Sequence, residues 1–418
     1  MAQNEQADTV VLHGKDHKVY SNPIESYNPE RGYFQKAFTD KGDPRFMIAD
    51  SKDNFRFGVG GAAHITAFYD FLGLMDDNTF TTWNIPVPTA TQSGHIGIGI
   101  GGTKINFKSV GRIGKHDLVA FIEMGFGTAD YIPRLRHAYV SFNGVTIGHT
   151  YSLFMDLAAG AKTVDLEGPN TQIAMAHPLI AYTQPIGRHW TVAASAEMPS
   201  LNIDTGFYYK EVYQKVPDFA MHVVWKNKIG HLQLAGLMRT FFYEGKAGQN
   251  PNSDDVLMHR FGWGVAFSGN VMFSKKCFIS FQTVYGKGIA KYIQDLSSAN
   301  IDIVRYRNIG IIGGNFSDLN AVPMLGGYLA FQYDWTPHIT TSVVYGHTRL
   351  VRAIDKQFNC DFHYTHYAAL NVFWNINQYC TIGAEGLYGM RSNIDFDNTA
   401  SSPVGHAGRF DVMFMYSF

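Results

Sequence analysis

From Asn54 onward, apolar and polar residues alternate with a period of two along most of the chain, as in strands that turn one face to an apolar phase and the other to water. Between Phe55 and Phe71, one face collects Phe55, Phe57, Val59, Ile65, Ala67, Tyr69 and Phe71, and the other collects Arg56, His64, Thr66 and Asp70. From Leu118 to Phe126, Leu118, Ala120, Ile122, Met124 and Phe126 alternate with Val119, Phe121, Glu123 and Gly125. Similar ribbons occur at Trp190 to Met198, Phe219 to Trp225, Trp263 to Phe267, Ile279 to Tyr285, Ile339 to Tyr345 and Ala368 to Trp374, each about the length of a tilted membrane-crossing strand. The chain ends the same way, with Phe410, Val412, Phe414, Tyr416 and Phe418 on one face and Asp411, Met413, Met415 and Ser417 on the other. In a soluble sheet, such an uncharged edge ending in an aromatic would invite pairing with other chains, so the pattern predicts the closing strand of a membrane barrel.

Connection lengths turn these strands into a topology. Short links at Gly114 to His116, Asn143-Gly144, Pro185 to His189, Lys226 to Ile229, Gly269 to Lys275, Thr336-Pro337 and Asn375 to Gln378 alternate with long ones at 73–103, 127–133, 152–177, 199–216, 242–258, 287–323, 350–363 and 390–405. Short periplasmic turns alternating with long extracellular loops are the habit of outer-membrane barrels. The expected fold is all-β: a closed antiparallel transmembrane β-barrel of about sixteen strands, both ends periplasmic, with one loop folded into the lumen. Residues 1–53 carry mixed charge without alternation and read as a polar extension, leaving 54–418 as the barrel. A large soluble propeller or solenoid would show a repeat of fixed period, and none is found.

Composition fits this fold and excludes others. Aromatics make up 14% of the chain, charged residues 17% and Gly 42 of 418 residues, yet no run approaches the roughly 18–20 apolar residues of a spanning helix. A net charge of −1 argues against a nucleic-acid binder. The three cysteines, Cys277, Cys360 and Cys380, match no metal or redox spacing, and Cys277 and Cys380 fall at lipid-facing parity. No metal or cofactor is expected. The opening Met-Ala-Gln-Asn-Glu-Gln lacks the apolar segment of a signal peptide, so export to the outer membrane of a Gram-negative cell implies a leader already removed.

If apolar residues face lipid, the opposite parity lines a water-filled lumen. Lys104, Asn106, Lys108 and Arg112 then point inward together, joined by Arg56 and Arg239; the parity of Arg134 and Arg136 against Ala138, Val140 and Phe142 is ambiguous and suggests a bulge. A charge on a hydrated pore wall costs little, whereas on the lipid face it costs about 2–4 kcal/mol at mid-membrane. The loop 152–177 carries Asp156, Asp165 and Glu167 but is rather apolar. Folding inward would bury Leu157, Ala158, Ala159 and Val164 and set the acids opposite the basic strands, a constriction with a transverse field.

Arg134-Leu-Arg-His-Ala-Tyr139, Ile147-Gly-His-Thr-Tyr-Ser152, Phe154-Met-Asp156, Thr163-Val-Asp-Leu-Glu-Gly-Pro169, Tyr182-Thr-Gln-Pro-Ile-Gly187 and Tyr285-Gly-Lys-Gly-Ile289 resemble, in order, motifs of the DcaP-like outer-membrane porins. The resemblance covers roughly residues 55–418 and implies a homotrimer of sixteen-stranded channels passing small anionic solutes such as dicarboxylates, with Arg134 and Arg136 as leading constriction residues. Two features depart from it. Ala181 stands where a basic residue would precede Tyr182-Thr183, and residues 1–53 show no heptads for the family's N-terminal coiled coil.

The expected function is therefore a non-enzymatic diffusion channel for small hydrophilic solutes, anionic or neutral, with modest anion preference. The rival readings are an outer-membrane enzyme of lipase or esterase type and a closed ligand-binding or adhesive barrel. His363, His366 and Asn371 suggest the former only loosely, since no Gly-x-Ser-x-Gly elbow or His-Glu-x-x-His motif is present. A gated transporter would need a plug larger than residues 1–53 supply.

Overall fold

The computed structural model describes residues 10–13, 46–49, 55–74, 79–90, 94–114, 116–127, 132–198, 200–201, 203, 209–246, 254–305, 319–351, 358, 360–395 and 403–418. Sixteen antiparallel strands form the wall. They are β1 (Phe55–Leu72), β2 (Lys104–Ile113), β3 (His116–Gly125), β4 (Arg134–Phe142), β5 (Val145–Tyr151), β6 (Ala176–Ile186), β7 (Trp190–Glu197) and β8 (Asp218–Asn227). The second half comprises β9 (Gly230–Lys246), β10 (Asp255–Ser274), β11 (Cys277–Lys287), β12 (Pro323–Asp334), β13 (Ile339–Leu350), β14 (Phe362–Asn375), β15 (Cys380–Asn393) and β16 (Val404–Ser417). Each strand pairs with the next, and β16 pairs with β1, so the sheet closes on itself.

The closure seam rests on backbone and charge together. Ser417 lies opposite Ala62, and Phe418 exchanges both backbone hydrogen bonds with Gly61 at 3.0 Å, so the chain's last residue seals the ring. A Cβ on Gly61 would meet the Lys104 carbonyl and the Phe418 ring, which is why the seam takes no larger residue there. Higher up, Arg409 lies opposite Asp70 and grips both its oxygens, Nε at 2.6 Å and Nη2 at 2.8 Å, while stacking on Phe68. The pair is buried and bidentate, the geometry in which an ion pair best offsets its desolvation.

Turns and parity follow the expected rules. Asn143 and Gly144 both have positive φ, 47° and 83°, giving the two-residue hairpin that suits strand twist. The Asn227 carboxamide accepts amides of Ile229 and Gly230, and Asn377 accepts those of Tyr379 and Cys380, closing two further short turns. The expected link at Gly269 to Lys275 is tighter than its sequence suggests, because β10 runs on to Ser274 before β11 starts at Cys277. Ile65, Ile122, Phe267, Val343, Val372 and Phe414 are exposed on the outer wall, as alternation requires of an apolar belt. No helix among the described residues is long and apolar enough to cross a membrane.

Residues expected to form the 1–53 extension lie outside the described residues except for two backbone segments. Val10–His13 pairs with Phe46–Ala49, which pairs with Arg56 to Val59 on the edge of β1 left uncovered below Phe418. Beyond the barrel's own strands, His95–Gly99 pairs with Thr66–Asp70 as an interrupted upper part of β2.

Candidate pore constriction

Among the described residues, segments of at least three connections enter the barrel, where one was expected. The loop after β5 crosses the lumen as foreseen, and the connections after β1 and β11 join it. Their apolar side chains Phe80, Ile85, Phe154, Ile173, Tyr292, Ile293 and Leu296 are buried against small or apolar inward residues such as Ala181, Ala193, Ala235, Ala266 and Ala369. Apolar burial holds the segments in place, and the polar groups decide their register.

The loop 152–175 is pinned at both limbs. On the near limb, the Leu153 amide donates to Glu197 at 3.0 Å, and Asp156 accepts from His231 at 3.0 Å and Ser268 at 2.6 Å while capping the short helix Leu157–Ala159. Burial pushes the Asp156 carboxyl up, but the His231 imidazole and the hydrogen bonds outweigh it and hold the group below the usual carboxylate range. On the far limb, amides of Val164 and Asp165 donate to Glu385 of β15, at 3.1 and 2.8 Å, and Glu385 also accepts from Asn371. Asp165 accepts the amides of Phe80, Glu167 and Gly168 and the Tyr367 hydroxyl; burial dominates, and its pKa is raised.

The loops are also pinned to one another. Asp295, in the segment after β11, accepts the Thr82 amide at 2.6 Å and the Thr82 hydroxyl at 2.8 Å. Burial, reinforced by the charge of Asp165, pushes its carboxyl up to about 7. Glu167 reaches Gln294 at 3.1 Å.

These contacts correct two expectations. Asp156, Asp165 and Glu167 were expected to face the basic strands across the pore; instead they bind a histidine, hydroxyls, a carboxamide and backbone amides in the wall and neighbouring loops. Ala159 and Val164 are buried as expected, but Leu157 remains 50% exposed. Arg239 points inward but is sealed. Its Nε meets Asp218 at 2.7 Å, its Nη1 meets Asp302 at 2.8 Å and the Gly288 carbonyl at 2.6 Å, and it stacks on Phe241 and Tyr292, leaving 1% of the side chain exposed.

The other basic positions gather on β1–β4. Lys104 and Arg136 flank Glu123, at 3.0 and 3.1 Å, with 38% and 43% of their side chains exposed. Arg136 also donates to the Tyr151 hydroxyl. Arg112 lies 3.9 Å from Asp117, and 52% of it is exposed. Arg134 is exposed, Arg56 is half-buried, and Lys108 is buried on the inward face. The ambiguous parity of Arg134 and Arg136 has its cause in a bulge: Glu123 pairs with His137 and Met124 with Leu135, so Arg136 is skipped and turns inward beside them.

What the sequence reading missed is the polar network behind the loops: His177 with Glu197 at 2.7 Å, and Tyr292 with Asp218 at 3.0 Å. A signal did exist for part of it. The hairpin register that sets Phe219 opposite Met238 places Asp218 beside Arg239 one step further on.

Similarity to proteins of known structure is found at the level of fold. The chain superposes on the outer membrane channel DcaP of Acinetobacter baumannii with a TM-score of 0.72, at 17% sequence identity, covering 88% of this chain and 99% of that one. OmpT, an outer membrane protein of Vibrio cholerae, gives a TM-score of 0.55 at 12% identity over 88% of this chain and 98% of that one. An anion-selective porin from Comamonas acidovorans gives 0.55 at 12% identity, over 87% and 100%. No family model matches the sequence. No curated protein matches it either.

Proposed function

We propose that the protein is an outer-membrane porin of a Gram-negative cell, working as a homotrimer without enzymatic activity, through which small hydrophilic solutes diffuse passively with a modest preference for anions such as dicarboxylates. One observation carries the reading: among the described residues, the basic groups of β1–β4 that are open to water outnumber the carboxylates beside them. Arg56, Lys104, Arg112, Arg134 and Arg136, each at least partly open to water, share that sector with Glu123 and Asp117, whereas Lys108 is buried and Asp70 is already taken by Arg409. A passing anion would exchange part of its hydration for several half-hydrated donors, none of which holds it tightly. Two of the fold relatives point the same way, being a channel and an anion-selective porin by their own descriptions.

Planar-bilayer recording tests this. The purified protein is expected to give stepwise conductance whose reversal potential in a salt gradient has the sign of anion preference. A closed ligand-binding barrel is the second reading, favoured by the burial of most inward side chains from β6 to β15. It predicts no conductance steps under any voltage.

A further inference from the structure

The outward face of β12–β16 changes character toward the long-loop end. Phe331, Val343, Leu370 and Phe410 form an exposed apolar band. One pairing step higher, Tyr345 lies opposite Ala368, and Ala368 opposite Tyr388. The next step sets His347 against His366, then His366 against Met390 and Met390 against His406. Arg349, exposed and paired with Tyr364, stands above them. Apolar residues, then tyrosines, then imidazoles and a guanidinium: this is the order in which a wall leaves hydrocarbon and enters the headgroup layer.

The imidazoles are held in place. The Tyr345 hydroxyl meets His366 Nδ1 at 2.6 Å, and the Tyr388 hydroxyl meets His406 Nδ1 at 2.7 Å. When the phenol donates to Nδ1, Nε2 carries the proton of the neutral ring and is its donor. His347 and His366 lie with ring centroids 4.5 Å apart and 35° between planes. Two imidazoles this close and Arg349 cannot all be cationic at low cost unless an anion sits among them. Among the described residues, no carboxylate occupies the outward parity of β12–β16.

We propose that this face binds the phosphorylated headgroup of an anionic lipid, with Arg349, His347 and His366 as phosphate donors and Tyr345 and Tyr388 orienting the imidazoles at the headgroup level. A lipid is preferred over a soluble anion because the donors stand directly above the exposed apolar band, where only a molecule with acyl chains fills both levels. The inference rests on the membrane-barrel reading but not on conductance, and its test is a binding measurement.

Purified full-length protein would be placed in nanodiscs of phosphatidylcholine with and without phosphatidic acid, and retained lipid would be read by native mass spectrometry. Wild type should retain phosphatidic acid preferentially. The triple variant His347→Gln, His366→Gln, Arg349→Gln should retain about tenfold less. Should the triple variant fail to fold, Arg349→Gln alone, at an exposed position, should still lower retention. Retention should also fall between pH 5 and pH 8 in wild type and hardly at all in the histidine variants, the ionisable groups of the face being Tyr345, His347 and Arg349 on β13, His363, Tyr364 and His366 on β14, Tyr388 on β15 and His406 on β16, with none on the adjoining Leu325, Gly327 and Leu329 of β12. Equal retention by wild type and variants, or no preference for phosphatidic acid over phosphatidylcholine, overturns the proposal. So does inorganic phosphate binding as tightly as the lipid.

Discussion

On the β1–β4 side of the barrel, Lys104 and Arg136 share Glu123 and stay half in water; on the β6–β9 side, Arg239 is locked between Asp218 and Asp302 and sees almost no water. Both sides carry inward arginines at the parity a pore lining requires. What separates them is the loops. Segments after β1, β5 and β11 pack against β6–β15 and convert charges there into structural ties, while Lys104, Arg112, Arg134 and Arg136 on β2–β4 stay partly open to water. Parity therefore tells which side chains face inward, and loop packing decides which of those stay open to water.

The largest effect should come from breaking the sealed side. Replacing Arg239 by Gln leaves Asp218 and Asp302 buried without their cation, and loss of one partner of a buried pair costs about 3–5 kcal/mol. Thermal unfolding should shift down sharply, yet protein that remains folded should keep the parental anion-to-cation permeability ratio. A changed ratio with unchanged stability would put Arg239 in the passage after all.

Next in size is Asp156→Ala. It removes the partner of His231 and Ser268 together with the cap of Leu157–Ala159, and unsatisfied buried groups of this kind cost roughly 1–3 kcal/mol. Freed at its near limb, the loop should fluctuate more, and single-channel recordings should show larger or noisier conductance steps.

A smaller, pH-dependent effect follows from Asp295. Its folded carboxyl is pushed up to about 7, above the ordinary value of 3.8, so the folded state binds the proton more tightly. Because burial disfavours the charged form, against the hydrogen bonds from Thr82 that favour it, the stability that the neutral carboxyl lends this packing is full below about pH 4 and is progressively lost as pH rises through about 7. Conductance noise should increase between pH 6 and pH 8, and Asp295→Asn should flatten that dependence.

Much of this was legible in the sequence because strands announce themselves by period two and by the spacing of turns. The belt residues, the closure at Phe418 and the inward loop at 152–175 all follow from alternation and connection length. Even the bulge left a mark, since Arg134 and Arg136 conflict with the parity of Ala138 and Val140. Inward folding of 79–90 and 288–305 was not legible. Those segments have no periodicity, and their positions depend on contacts between residues more than 200 apart, such as Asp295 with Thr82. The partners of the loop acids escaped for the same reason: Asp156 sits 75 residues from His231 and 112 from Ser268. A hint lay in the apolar residues Phe80 and Trp83 and in Ile289 to Ile293, which an exposed loop has no reason to carry.

The sharpest test of the comparison is the reversal potential of the double variant Arg134→Ala, Arg136→Ala in a salt gradient across a planar bilayer, beside that of the parent. A charge-selecting β1–β4 sector predicts a lower anion-to-cation permeability ratio, and uptake of a dicarboxylate reduced more than that of a neutral sugar of similar size. A double variant that folds, conducts and keeps the parental ratio would contradict it, leaving those arginines as solvated scaffold.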